Sequence, residues 1–441
     1  MKGTKTLVLF LVFLALGAYV YFYEIEGGKK REKVKELEEK VFKFESDSIN
    51  TIDINGPKGS FTFVRNGDGW QIEKPVETDG DKSTINSLLS TLTNMKKDRE
   101  FPIKKGDLAK FGLAGQAFEV RLIDKQGNED HLRYGDETGI ESKIFVNKVD
   151  TIIYTVPAYT KNSIDKSLFD WRDKSVIKVD RNNVRELHLK NGYGRFELAK
   201  EGSDWYLKKP IEAKADNSNI SSILSKLENG KAKSVVSETM NSAAEYDLNK
   251  PYYEVDLLVG EGRARQRVIF SKLEENSAYG KDDGRPQVFT VDSTFLKPFD
   301  KTLMDLRNKK FAEFKKDNAD KIEAWQGDSL VTLIKDTSNT WMIRDTVKCK
   351  TWKVNSYLNS LTGLTAKKYI AENVSESSKY GLSKPQRKII VYTNGVPVAD
   401  VAFGEKIDDR VVVLSRHTKT IAEIDNSDFE KVEIKEDEFK E

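Results

Sequence analysis

From Ile49 the chain alternates apolar and polar residues and breaks at glycines, TIDINGPKGSFTFVRNGDGWQI. Successive side chains of a strand point to opposite faces, so this pattern predicts a β-meander with one buried face and turns at Gly56 and Gly67. Pro75 ends the strand that holds Trp70, because proline has no N–H to give to a ladder. The period then changes. Ile85, Leu88, Leu89 and Leu92 recur at helical spacing, so one helix face packs against the sheet. Asp81 stands before that helix, placed to cap its free N–H groups. Alternation returns in FEVRLID from Phe118, then in HLRYG and IFVN. Strands, a helix, then strands predict an α+β unit, an antiparallel sheet with its helix on one face.

This pattern occurs three times. Trp70, Trp205 and Trp341 lie 135 and 136 residues apart in GWQIEKPVE, DWYLKKPIE and TWMIRDTVK. Each is followed by a helix, INSLLSTL from Ile85, ISSILSKL from Ile220 and VNSYLNSL from Val354. Then come FGL at Phe111, YDL at Tyr246 and YGL at Tyr380, and later IYTV at Ile153, VFTV at Val288 and IAEI at Ile421. The first two copies end in SLFDWRDK from Ser167 and TLMDLRNK from Thr302. Blocks in one order at nearly constant spacing identify tandem repeats. The third copy departs from the pattern: Thr346 replaces Pro75 and Pro210, and Lys350 replaces Asp81 and Asp216. Its terminal block is expected to be missing, because the chain finishes in the charged segment KVEIKEDEFKE, residues 431–441. Terminal repeats are often atypical.

Ahead of the repeats, Leu7 to Tyr23 is an unbroken apolar and aromatic run behind Lys2 and Lys5. Seventeen helical residues span roughly 26 Å, close to the thickness of a hydrocarbon core. Tyr19, Tyr21 and Tyr23 suit the headgroup level. An uncleaved anchor accounts for the whole run. A cleaved signal peptide, using a site such as Ala15-Leu16-Gly17, is the competing reading. Lys29, Lys30, Arg31, Lys33 and Lys35 argue against export by a literal positive-inside count, whereas the basic and apolar order of a secretory signal argues for it. Val34, Leu37, Val41 and Phe44 then form a short apolar stripe, read as a stalk helix that either leans on the first repeat or pairs as a coiled coil. The expected organisation is an anchor over 1–28, a stalk over 29–46, and repeats over 47–177, 178–310 and 311–441.

Composition narrows the function classes. The chain has 441 residues, with 73 Lys+Arg against 71 Asp+Glu, so the near balance argues against a nucleic-acid binder. Cys349 is the single cysteine, which excludes an internal disulfide and leaves no zinc ligand set around it. His131, His188 and His417 occupy non-equivalent positions and read as surface residues. Asp79 and Asp81 resemble a paired-carboxylate site, but a turn and an N-cap account for them more simply, since Lys214 stands where Asp79 does. GEGRAR at Gly260 and NGDG at Asn66 lack the residues and setting of a phosphate loop and read as hairpin turns. The three tryptophans read as core anchors, with stacking on a sugar or peptide as the alternative. No residue is singled out as catalytic, cofactor-binding or metal-ligating, and no cofactor is expected.

The Trp–Pro–Asp block, the FGL or YDL turn and the DWRDK or DLRNK block together resemble the bacterial family known as domain of unknown function 4340, over roughly residues 45–436. That resemblance implies an N-terminal membrane anchor, extracytoplasmic repeats and association with ABC-type exporters related to gliding-motility transporters. It implies no enzymatic activity. The expected protein is therefore a non-enzymatic scaffold or accessory subunit of a transport complex. It would be held in the bacterial inner membrane through residues 6–23, with its repeats periplasmic. A ligand-binding module for envelope glycan, lipid or peptide is the alternative.

Overall fold

The computed structural model describes the chain from residue 35 onward, except residues 36, 116–117, 140, 150 and 373–377; before that it describes residues 10, 11, 13, 14, 16, 17, 19–21 and 23. The first sheet comprises β1 (Ile49–Gly56), β2 (Gly59–Asn66), β3 (Gly69–Lys74), β4 (Thr78–Asp79), β5 (Arg99–Pro102), β6 (Phe118–Asp124), β7 (Glu129–Glu137), β8 (Lys143–Val149) and β9 (Ile152–Pro157). Its spatial order is β4-β3-β2-β1-β6-β7-β8-β9-β5. After β4 the chain forms helix α1 (Lys82–Thr93), and β5 then takes the far edge of the sheet.

The second sheet is built from β10 (Val184–Asn191), β11 (Gly194–Glu201), β12 (Asp204–Lys209), β13 (Ala213–Lys214), β14 (Ser234–Ser237), β15 (Tyr253–Val259), β16 (Ala264–Phe270), β17 (Ser277–Asp282) and β18 (Val288–Asp292), with helix α2 (Asn217–Asn229). The third comprises β19 (Lys321–Gln326), β20 (Ser329–Lys335), β21 (Trp341–Ile343), β22 (Val347–Lys348), β23 (Lys368–Ala371), β24 (Arg387–Thr393), β25 (Val396–Ile407), β26 (Arg410–Ser415) and β27 (Thr420–Asp425), with helix α3 (Thr351–Thr362). Three nine-stranded antiparallel sheets with one strand order bear out the repeated α+β architecture. The chain separates into two compact units, residues 1–175 with 231–236, and residues 176–230 with 237–441.

Register explains each core. Ile52 and Ile54 of β1 pair with Phe63 and Phe61 on one side and with Leu122 and Val120 on the other, so one sheet face is apolar throughout. Ile85, Leu88, Leu89 and Leu92 of α1 are buried on that face, as their spacing predicts. Ile220, Ile223, Leu224 and Leu227 are buried along α2 in the same way, and Val354, Tyr357, Leu358 and Leu361 along α3. Each such side chain contributes about 1.5–3 kcal/mol by leaving water.

The FGL, YDL and YGL blocks have a backbone cause. Their middle residues, Gly112, Asp247 and Gly381, have φ of 67°, 54° and 70°. That left-handed region favours glycine and tolerates aspartate. The reversal buries Leu113, Leu248 and Leu382. Glycines at Gly135 and Gly404 make room for it, because a Cβ there would lie 2.1 Å from the Phe111 carbonyl and 2.2 Å from the Tyr380 carbonyl.

The expected loss of the third terminal block is corrected. In the first copy Asp81 N–H donates to Trp171 O at 2.7 Å and Asp173 N–H to Asp79 O at 2.8 Å. In the second, Asp216 N–H donates to Leu306 O and Asn308 N–H to Lys214 O at 2.8 and 2.9 Å. In the third, Lys350 N–H donates to Phe439 O and Glu441 N–H to Lys348 O at 2.8 and 3.0 Å. The final segment therefore closes the third copy, and Phe439 occupies the place of Trp171 and Leu306. The backbone makes these bonds, so only a buried apolar residue has to persist, and the letters of the block can change.

The other two departures also have physical reasons. Arg344 and Asp345 have φ of 50° and 61°, and Thr346 N–H donates to Ile343 O at 3.1 Å. This is a tight turn with two left-handed residues in a three-residue connection, Ile343 pairing with Val347, and proline could not supply its donor. Lys350 occupies the N-cap of α3 with no side-chain bond, whereas Asp81 and Asp216 accept from Thr84 N and Asn219 N at 2.8 and 3.0 Å.

The stalk reading is corrected in part. Lys35 and Leu37–Glu39 are helical, but the chain leaves the helix at Lys40, and residues 29–34 and 36 lie outside the described ones. Val41 N–H donates to Met95 O and Lys97 N–H to Glu39 O, at 2.9 and 2.8 Å, and Val41 and Phe42 enter the first core. The same lead-in precedes the third copy, where Phe311 N–H donates to Leu364 O and Ala366 N–H to Lys309 O. Among the described residues no helix is long and apolar enough to cross a membrane. Much of the predicted Leu7–Tyr23 span lies outside the described residues; those described in it, including Phe10, Phe13 and Leu16, are helical and exposed.

Candidate functional site

The structure disperses the residues that sequence reasoning weighed. Trp70, Trp205 and Trp341 are 3%, 5% and 2% exposed, so none offers a stacking face to a ligand. Trp70 Nε1–H donates to Asn86 Oδ1 at 2.8 Å, which ties its strand to α1. His131 is exposed on β7 opposite Arg121, His188 lies on β10 with Nε2 at 3.4 Å from Glu186, and His417 is exposed in the turn between β26 and β27. Asp81 caps α1, and Asp79 lies in β4. Gly260 and Gly67 are positive-φ turn residues, as predicted.

Cys349 is fully buried. It shares a position with Gly80 and Ala215, since each donates its N–H to the carbonyl of its copy's tryptophan at 2.8 Å. Burial pushes its thiol up to about 11. A small side chain is needed there, since a Cβ at Gly80 would already meet Ile85 Cδ1 at 2.5 Å.

A cleft in which ionisable groups converge lies in the second unit and has a volume of about 710 Å³. The closing turn Leu303–Leu306 delivers Arg307 to it, β23 delivers Tyr369 and leads to Glu372, and β13 delivers Lys214. The Arg307 side chain is 5% exposed. Its guanidinium lies over the Tyr369 ring, 3.3 Å from the centroid, and makes a two-pronged bond to Glu372, with Nη2 at 2.8 Å from Oε2. The Tyr369 hydroxyl donates to Asn308 O at 2.8 Å, and burial raises its pKa. The aromatic ring covers one face of the planar cation and the carboxylate meets its N–H edge, and the two contacts offset part of the cost of taking the charge out of water.

Lys214 donates to Glu313 at 2.7 Å and lies 3.4 Å from Asp204. The hydrogen bond to Glu313 is the main cause of its raised pKa. Burial works to raise Glu313, but hydrogen bonds from Lys214 and Asn308 outweigh it and hold the carboxyl below its ordinary value. The ionic groups of this cleft are thus chiefly engaged with one another, across the joint between the second and third copies. His417, Thr418 and Thr420 complete the rim. Among the described residues no group of three or more His, Cys, Asp or Glu side chains is disposed to hold a metal ion.

The sequence reading overlooked Arg307. The available signal was the arginine shared by DWRDK and DLRNK, at Arg172 and Arg307, both buried.

A family model described as Domain of unknown function (DUF4340) matches residues 70–212 and 205–385. Each match begins at a repeat tryptophan strand and runs into the next copy. No curated protein matches the sequence. Among solved structures, a DnaN sliding clamp (DNA polymerase III subunit beta) from Pseudomonas aeruginosa bound to griselimycin aligns at 9% identity over 88% of this chain and 96% of that one, with a TM-score of 0.12. A superposition that poor carries no argument.

Proposed function

The chain belongs to the family described as domain of unknown function 4340, and on that premise we propose that it is a non-enzymatic, membrane-anchored extracytoplasmic scaffold or accessory subunit of an ABC-type transport complex. The carrying observation is that the recurring residues serve the fold. The tryptophans are buried, the aspartates cap helices, the FGL-type turns reverse the chain, and the closing blocks pair with the strand before each helix. Positions such as Lys226, matched by Thr91 and Ser360, differ between copies, and the unshared surface is where a repeat protein meets its partners. The exposed helical residues Phe10, Phe13 and Leu16 suit contact with lipid.

Cross-linking in native membranes, followed by purification of the tagged full-length chain, should recover the membrane-spanning and ATP-binding subunits of a transporter. Protease added to intact spheroplasts should cut the repeats. Recovery of the chain by itself, with repeats protected until lysis, would overturn both the partner and the topology.

The cleft beside Arg307 favours a second reading, as an envelope ligand-binding module, since its volume lies within the range of small-molecule sites. Under that reading a glycan or peptide ligand protects Tyr369 and His417 from chemical modification. Unchanged modification rates across envelope extracts would remove it.

A further inference from the structure

One corner of the second copy carries a charge pattern that its siblings lack. Helix α2 packs there against the turns Ser293–Leu296 and Lys297–Phe299 that follow β18. The approach is close because Gly230 has no Cβ, which would fall 2.2 Å from the Phe295 ring. The resulting pocket, about 560 Å³, is lined by Lys226, Lys297 and Lys301 together with Ser222, Ser225, Asn229 and Thr294, and no acidic side chain lines it.

None of the three ammonium groups forms a hydrogen bond or ion pair among the described residues. Lys226 Nζ lies 5.7 Å from the centre of the Phe295 ring. Asp305 lies close enough to feel the Lys301 charge, but it is hydrogen-bonded to Thr302 in the capping box of the closing turn. Two further acids are engaged elsewhere. Asp292 accepts from Phe295 N at 2.9 Å and from Thr294 Oγ1 at 2.6 Å, and Glu228 pairs with Arg181 at 3.4 Å. Three like charges around one pocket, none of them in an ion pair within 4 Å, repel one another, a cost to folding that the ring contact of Lys226 only partly offsets.

The other copies show that the fold does not need them. Six residues into the repeated helix block, Lys226 is matched by Thr91 and Ser360. Six residues before the closing turn, Lys297 is matched by Asn162 and Glu430; two residues before it, Lys301 is matched by Lys166 and Ile434. All three copies build this corner, yet only the second makes it uniformly cationic. Lysine is a flexible point charge, and several lysines beside hydroxyls suit an anion with more than one charged oxygen.

We propose that this corner of the second copy binds a phosphate-bearing anion, held by Lys226, Lys297 and Lys301. The phosphate is either a lipid headgroup or a soluble phosphate, and the test separates the two. The full-length chain is placed in phosphatidylcholine nanodiscs with or without phosphatidylglycerol, and lysine acylation rates are read by mass spectrometry, with and without inorganic phosphate. Protection of these three lysines by inorganic phosphate, roughly three- to tenfold, assigns a soluble anion. Protection only in phosphatidylglycerol discs assigns a headgroup. Lys272 and Lys315, both exposed, report non-specific screening. Equal slowing at those two, or no slowing at the three, overturns the proposal. The triple variant K226Q/K297Q/K301Q should unfold at the same or a higher temperature than the parent and lose any stabilisation by phosphate. Phosphate stabilisation that survives the triple change also overturns it.

Discussion

Replacing Phe439 with alanine tests whether the final segment closes the third core. The ring is 1% exposed, meets Tyr357 edge-on at 5.8 Å between centroids, and has Lys353 Nζ at 5.7 Å from its centre. A buried phenylalanine hides about 150–250 Å². At about 25 cal/mol per Å² that area is worth roughly 4–6 kcal/mol; alanine keeps part of it and a residual cavity adds to the loss, which places the cost in the usual range of about 3–5 kcal/mol for Phe→Ala. Several cores share one chain, so a single melting curve does not isolate the effect. Hydrogen exchange read on α3 does, because loss of closure exposes the Lys350 N–H and the first turn of that helix. Phe439→Leu, which copies Leu306 of the second copy, should retain all but about 1–1.5 kcal/mol. If Phe439→Ala leaves α3 exchange within a factor of five of the parent, the closing role is wrong.

Lys350→Asp should add the side-chain cap that α3 lacks and stabilise the third copy by about 0.5–1 kcal/mol, measured by denaturant titration. Gly404→Ala should destabilise by about 1–3 kcal/mol by the same measurement, because the new Cβ meets the Tyr380 carbonyl at 2.2 Å. Glu372→Ala should cost about 1–3 kcal/mol by leaving Arg307 buried without its partner, a figure kept low because the Glu372 side chain is 44% exposed. Cys349 should resist thiol reagents at pH 8 while folded. Its thiol, raised to about 11, keeps its proton after the unfolded chain loses its own near pH 8.5, so its contribution to stability is intact below that value and falls between about pH 8.5 and 11. A native-state labelling rate equal to that of the unfolded chain would contradict this.

The legible part of the fold was the part written in side-chain period and in glycine. Alternation around Ile52 and Ile54, the helical spacing from Ile85 to Leu92 and the YDL-type turns each leave a pattern in residue type. The third closing block left none, because its bonds are made by the backbone at Lys350 and Glu441, and its one side-chain requirement is met by Trp171, Leu306 or Phe439 alike. The lead-in at Val41 escaped for a related reason. Its apolar stripe satisfies a helix period, and only its pairing with Met95 reveals an extended segment. The cleft at Arg307 depends on Tyr369 and Glu372, 62 and 65 residues further along the chain, a juxtaposition that no local pattern encodes.

The closing turn of one copy runs directly into the lead-in of the next: Arg307 and Asn308 finish the second copy, and Lys309 to Phe311 begin the third. Copy number can therefore change cleanly at that seam. A duplication or deletion with its joint between Asn308 and Lys309 hands every core a complete set of backbone partners. The same event at a strand boundary leaves one helix uncapped and another without its lead-in. The heritable unit of this protein is thus offset from its sheets, and a fragment meant to fold by itself has to follow the seam, as residues 309–441 do.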